Sequence, residues 1–297
     1  MTRRDAILSI PGIVLARRFA AGAPLPNRPK LAGTLRLGAR SRIEEPPGSG
    51  KLRVQEATLD WKVSESAIII CDMWDDHWCK SAARRVGEMA VRMNRVVKAA
   101  RTLGVMIIHA PSATIDFYAD TPYRRRMLEA PRAEPPVPIQ SWCNLEPDKE
   151  HRLPIDDSDG GCDDANPVES YRAWSRQHAT IEISGHDGVT DQGQEVYNFC
   201  RQEGITNLAM MGVHTNMCVL GRSFGIRQMT KLGMNVVLVR DLTDAMYDPR
   251  DEPYVSHKRG TELVIEHIER HWCPSVLSDE LMAVVPGSGG RVSSSGA

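Results

Sequence analysis

From Ala67 onward, runs of apolar residues alternate with amphipathic stretches. Ala67 to Cys71 is wholly apolar. After it, Met89, Met93, Val96 and Ala100 recur at three- and four-residue intervals, the spacing of one helical face. The alternation continues with a strand at Val105 to His109, a strand at Thr180 to Ile183 and a helix through Val196 and Phe199. Next come the strand Leu208 to Val213, a helix carrying Met217, Leu220 and Phe224, the strand Val236 to Val239, and a last helix around Val264 and Ile268. Strands that are apolar on both faces need helices over both faces, and parallel crossovers are right-handed. The pattern therefore predicts an α/β fold, a three-layer α/β/α sandwich around a central, mainly parallel, doubly wound sheet.

Three segments lie outside this alternation. Residues 34–61 place Leu35, Leu37, Leu52, Val54 and Leu59 loosely one-on, one-off around Pro46-Pro47-Gly48-Ser49-Gly50, which predicts an N-terminal β-hairpin extension within 24–63. Residues 130–178 are too long for an ordinary connection inside the main domain at 64–280 and read as a lid or interface insertion. Its acidic run, Asp156 to Asp164, lacks the spacing of a full calcium loop and is expected to be solvated. Residues 281–297 are poor in apolar groups and are expected to be a disordered tail.

The N-terminus carries Arg3-Arg4, a mostly apolar run from Ala6 to Ala16 and the small-residue stretch Ala21-Gly22-Ala23. These are the parts of an export signal, similar to the twin-arginine type, and place residues 1–23 either in such a signal or in an ordinary N-terminal helix. Localisation follows that choice, exported in the first case and cytoplasmic in the second. The apolar run is too short to span a membrane, so no membrane partner is expected.

Composition narrows the function classes. With 37 basic and 38 acidic side chains the net charge is −1, so no basic field exists to hold a phosphate backbone and no nucleic-acid partner is expected. Seven cysteines without a CxxC pair give neither a disulfide scaffold nor a zinc-finger pattern. A small-molecule substrate remains.

In a parallel sheet, ligands bind beyond the carboxyl ends of the strands. Asp72 follows the first strand, within Cys71-Asp72-Met73-Trp74-Asp75-Asp76-His77-Trp78-Cys79. His109 closes the second, and Gly212-Val213-His214-Thr215-Asn216-Met217-Cys218-Val219 spans the end of the fourth. Cys218 then sits in the first turn of a helix, where unpaired N–H groups and the helix dipole favour a thiolate and lower the thiol pKa. The competing reading is a buried cysteine packed as a small hydrophobe.

Gly212 to Val219 resembles the G-x-x-T-x-x-C-V nucleophile motif of the isochorismatase-like cysteine hydrolases, which include nicotinamidases, carbamoylsarcosine amidases and ureidoacrylate-type amidases. Ala67 to Trp74 resembles the first strand of that superfamily with its terminal aspartate, and the likeness extends over about residues 64–280. The resemblance implies that Cys218 attacks an amide-type carbonyl and forms a thioester while Asp72 shuttles the proton. It also implies an oxyanion hole at the backbone N–H groups of His214 and Cys218, a cis Val213–His214 peptide, and a homo-oligomer. Trp74, His77, Trp78 and His109 are expected to line a pocket for a flat or apolar substrate.

One departure stands out. The superfamily takes a lysine from just after the third strand, and Ile181 to Val189 contains none. His186 is the candidate substitute, with Arg222 or Lys80 as alternatives from elsewhere. Asp76, His77 and His109 have the chemistry of a divalent-ion site but not the nicotinamidase spacing, so no metal or other cofactor is expected. The chain thus reads as a cysteine-dependent amidase or C–N hydrolase. The alternative is a fold that has become a binding or assembly protein; action on isochorismate through Asp72 alone lacks specific support.

Overall fold

The computed structural model describes residues 23–26 and 28–288. The export-signal reading of residues 1–23 and the end of the expected tail lie outside these residues, apart from Ala23 and 281–288. In chain order the regular elements are β1 (Thr34–Glu44), β2 (Leu52–Lys62), β3 (Ser66–Cys71), α1 (Lys80–Thr102), β4 (Met106–Ala110), α2 (Pro122–Glu129) and β5 (Gly188–Val189). They continue with α3 (Gly193–Glu203), β6 (Asn207–Val213), α4 (Cys218–Gly221), α5 (Ile226–Lys231), β7 (Asn235–Asp244), α6 (His257–His271) and β8 (Ser275–Val276).

All eight strands join one sheet in the order β2-β1-β8-β7-β6-β3-β4-β5. Strands β3 to β8 run parallel, and β1 pairs antiparallel with both β2 and β8. The hydrophobic pattern explains the layering. On β3, Ile69 belongs to the core beneath α3, α5 and α6, while Ile68 and Ile70 belong to the core beneath α1. Each of the three is fully buried, worth roughly 1.5–3 kcal/mol apiece against exposure. The three-layer sandwich is therefore as the sequence indicates.

The hairpin also forms, with Arg36 paired to Asp60 and Leu37 to Leu59 across it. It is more closely tied to the fold than an extension. Leu35, Leu37 and Ala39 are buried in the α1-side core, and Arg40 and Arg42 bind Glu269 of α6.

Three expectations need correction. Thr180 to Ile183 is not a strand: Ile181 is buried against the α1 face, but the segment turns, and the parallel neighbour of β4 is the two-residue β5. Met217 to Phe224 is not one helix, because the chain breaks after α4 and Gly225 packs against the Val219 carbonyl before α5 begins. Residues 281–288 are not a free tail: Val285 N–H donates to the Thr34 carbonyl, and Thr34 N–H donates to Ser288 Oγ.

The switch point of the sheet lies between β3 and β6, since β4 and β5 follow on one side and β7 and β8 on the other. The crevice beyond the carboxyl ends of these two strands is where a doubly wound fold receives a ligand. The 130–178 insertion has little regular structure of its own and reaches the rim of that crevice at two points. Trp142 bridges to Arg222, and Gln177 bridges to Trp74.

Candidate active site

Asp72 is the first residue past β3. Its N–H donates to the Ala110 carbonyl, and its φ of 46° directs the carboxylate across the strand ends. The side chain is fully buried. Oδ1 accepts from the Ser112 N–H at 2.8 Å, and Oδ2 accepts from Nε and Nη2 of Arg222, each at 3.1 Å. Burial raises the Asp72 pKa above the ordinary carboxylate value, and Arg222 and Ser112 offset only part of that rise.

Cys218 opens α4 from the neighbouring strand end. Gly212 makes the approach possible: its φ is +112°, and a Cβ there would lie 2.0 Å from the Cys71 carbonyl oxygen. The Val213–His214 peptide is cis. The Thr215 hydroxyl pairs with that of Thr243 at 2.7 Å, and Asn216 holds Met246 through both its amide groups, so the turn is pinned to the end of β7. Among the described residues, the N–H groups of His214 and Cys218 have no acceptor. These are the two donors expected for an oxyanion hole.

The thiol differs from expectation. The Cys218 pKa is raised well above the ordinary thiol value, first by burial and then by the Asp72 carboxylate, with Arg222 acting in the opposite direction. A four-residue helix supplies too little dipole to outweigh a facing carboxylate. Burial and the facing carboxylate thus favour the thiol form of Cys218 over the thiolate.

The cation that meets Asp72 is Arg222. Its N–H donates to the Cys218 carbonyl at 3.0 Å, one helical turn on, so both side chains emerge on the same side. Asp72 and Cys218 both help to keep the guanidinium protonated against burial. Trp142 lies over it at 5.6 Å, and Cys143 N–H donates to the Gly221 carbonyl at 2.7 Å. His186, expected as the lysine substitute, does not reach the site: it lies near Arg101, Gly104 and Met106, at the amino end of β4 and so on the opposite side of the sheet. Lys80 pairs with exposed Asp76 instead.

The aromatic residues divide. Trp74 stacks on Trp174 of the insertion at 4.2 Å, and His77 faces Trp174 at 5.5 Å, Trp78 at 5.4 Å and His214 at 5.2 Å. Nothing in the local spacing of Trp174 links it to Trp74 in the sequence. A cleft of about 670 Å³ beside the nucleophile turn is lined by His77, Trp78, His214 and Met217, with the acidic loop as its other wall. Burial lowers the His77 pKa to about 4 and the His214 pKa to about 3, so both rings are neutral near pH 7. His214 Nε2 is buried without a partner.

His109 does not line this cleft. It is fully buried, with Nδ1 on Gln177 Oε1 at 2.9 Å and Nε2 on Asp187 Oδ2 at 3.0 Å, a satisfied core histidine. Asp76, His77 and His109 therefore do not gather around one point, which removes that arrangement as a metal site. The acidic run is not simply solvated either. Asp163 binds Arg85, Asp157 binds Asn216, and Asp164 accepts the N–H groups of Lys80 and Ser81 at the start of α1.

A family model of the isochorismatase domain matches residues 66–255. Among curated proteins none matches the chain. Among solved structures, a cysteine hydrolase from Pseudomonas syringae is 16% identical over 74% of this chain and 91% of its own, with a TM-score of 0.46. An isochorismatase from Pseudomonas putida is 13% identical over 74% and 91%, with a TM-score of 0.43. An isochorismatase family protein from Desulfovibrio vulgaris is 17% identical over 73% and 96%, with a TM-score of 0.41. The family match runs from the first residue of β3 to the loop beyond β7 and contains Asp72, Cys218 and Arg222. The chain belongs to the isochorismatase family of hydrolases.

Proposed function

We propose that this chain hydrolyses a C–N, amide-type bond of a small molecule through a Cys218 thioester, with Asp72 as proton shuttle and Arg222 as the fixed cation. The observation that carries this reading is the meeting of thiol, carboxylate and guanidinium at the β3–β6 switch point. Proton transfer from Cys218 to Asp72 moves one negative charge from oxygen to sulfur and leaves the net charge of the trio unchanged. Arg222 touches both bearers of that charge, so it stabilises either state. A guanidinium also remains protonated at any working pH, which a buried ammonium need not.

The thiolate attacks the carbonyl carbon, and the developing oxyanion is received by the His214 and Cys218 N–H groups, each worth about 2.7–4 kcal/mol in comparable sites. Collapse expels the amine, which takes the proton from Asp72. Asp72 then deprotonates a water that attacks the thioester, releasing the acid and restoring the thiol. The raised Asp72 pKa suits this exchange, since a carboxylate of ordinary acidity is a weak base toward a thiol. The neutral rings of His77 and His214, with Trp78 beside them in the cleft, suit a flat, uncharged substrate portion.

The test is turnover on a panel of small primary and secondary amides, with intact-mass detection of an acyl adduct on quenching. An adduct mapped to Cys218, and loss of both adduct and turnover in Cys218→Ala, is the expected result. Turnover that survives Cys218→Ala overturns the thioester route. Binding of panel members without turnover or adduct instead favours the binding-protein alternative.

A further inference from the structure

We propose that Cys79, Cys162 and Asp164 form a binding site for one thiophilic divalent cation of the zinc type, beside the cleft that Cys162 lines. The three residues come from distant parts of the chain: Cys79 immediately precedes α1, while Cys162 and Asp164 belong to the insertion. Their ligand atoms all lie within 4.8 Å of one another, and no other such group of three occurs among the described residues. A tetrahedral ion with sulfur at about 2.3 Å and oxygen at about 2.0–2.2 Å holds its ligand atoms roughly 3.5–3.8 Å apart. Closing the difference from 4.8 Å needs a side-chain adjustment of at most about 1.3 Å.

The donor set selects the ion class. Two thiolates and one carboxylate suit zinc or cadmium, whereas calcium and magnesium require oxygen ligands. The carboxylate is already oriented as a ligand would be. Asp164 Oδ1 accepts from the Ser81 N–H at 2.8 Å and hydroxyl at 2.6 Å, and Oδ2 accepts from the Lys80 N–H at 2.8 Å. Such outer contacts fix a ligand's direction before the ion arrives. Both sulfurs are buried, and that of Cys79 also meets Asp163 Oδ1 at 3.8 Å. Cys162 lines the 670 Å³ cleft, which gives an ion access from solvent.

The ion would tie the acidic wall of the cleft to the start of α1. Met217, next to the nucleophile, packs on the same small cluster of Cys79, Ala82, Cys162 and Met246. The site is separate from Cys218, and the proposal does not depend on the thioester mechanism.

The test uses the full chain, reduced and stripped with a chelator. Cadmium is titrated while following the sulfur-to-metal charge-transfer band, zinc is titrated against a chromophoric chelator, and native mass spectrometry counts the ions. One ion per chain is expected, with affinity lowered at least tenfold in Cys162→Ser and in Asp164→Asn, and unchanged in Cys218→Ser. Near-ultraviolet circular dichroism on each variant separates a lost site from a lost fold. Absence of a bound ion in the wild-type chain overturns the proposal. So does equal affinity in a folded Cys162→Ser, or loss of the ion in Cys218→Ser. A Cys79–Cys162 disulfide in untreated protein, together with no ion on the reduced chain, assigns the pair to redox chemistry instead.

Discussion

Arg222→Gln isolates the contribution of the cation. Its guanidinium meets Asp72 Oδ2 at 3.1 Å through two nitrogens, and 28% of the side chain is exposed. Unit charges about 4 Å apart interact by about 4 kcal/mol at an effective dielectric near 20. Discounting for the exposed fraction leaves about 2–3 kcal/mol. The same arithmetic applies to the thiolate, since Arg222 also contacts Cys218. At fixed pH below the thiol pKa, the thiolate population should therefore fall roughly 30- to 150-fold in Arg222→Gln.

Iodoacetamide alkylation read by peptide mass mapping measures this at Cys218 alone, even though six other cysteines are present. It needs no substrate. Two outcomes are expected together: wild-type Cys218 titrates above an ordinary thiol, and Arg222→Gln slows its alkylation by the stated factor at pH 8. Arg222→Lys should retain the charge, lose the two-pronged contact and slow alkylation less than tenfold. An Arg222→Gln rate equal to wild type would refute the electrostatic role and reduce Arg222 to a latch under Trp142.

Three other perturbations follow from the same geometry. Gly212→Ala places a Cβ 2.0 Å from the Cys71 carbonyl at a φ of +112° and should cost about 3 kcal/mol or more, read as a lowered midpoint in urea. Burial pushes Glu150 up, but hydrogen bonds from His267, Arg227 and Trp272 outweigh it and hold the pKa at about 2. Because the folded value is depressed, its contribution of up to about 3 kcal/mol is complete above the ordinary carboxylate range and is lost as the pH falls toward 2. Glu150→Gln should accordingly flatten the acid limb of a stability–pH curve, and an unchanged slope would contradict the assignment. Trp142→Ala removes the ring over Arg222 and should lower turnover about fivefold, the equivalent of about 1 kcal/mol of cation–π contact, with the melting temperature little changed.

Most of the sheet is legible in the sequence because its strands are continuous apolar runs. Ala67 to Cys71 and Leu208 to Val213 admit few other placements. The segment Thr180 to Ile183 fails the same test, because Ile181 and Ile183 alternate like strand residues while Ile181 alone anchors in the α1-side core. Asp72 and Cys218 are legible because their positions follow from strand ends. Arg222 is harder to find, since a guanidinium reaches its target from any element within side-chain range. Its four-residue offset from Cys218 was nevertheless a readable clue. The Trp74–Trp174 stack and the Cys79–Cys162–Asp164 group had no clue of that kind, because both depend on how an irregular segment crosses the strand ends. The expected lowering of the thiol pKa fails for a related reason: position along a helix says nothing about which charge faces it.

The stretch recognised by kinship, 66–255, is shorter than the piece that folds. Strand β1 lies before it, and α6 and β8 after it, yet Arg40 pairs with Ser275 and Glu269 holds both Arg40 and Arg42. With Leu35 and Leu37 wholly shielded, that flank is a second wall of the building rather than a porch. Cutting the gene at the borders of homology would uncover a greasy face along β7. Expression of this enzyme fold as an independent unit should start before Thr34 and run past Val285, where inheritance and cooperativity draw different lines.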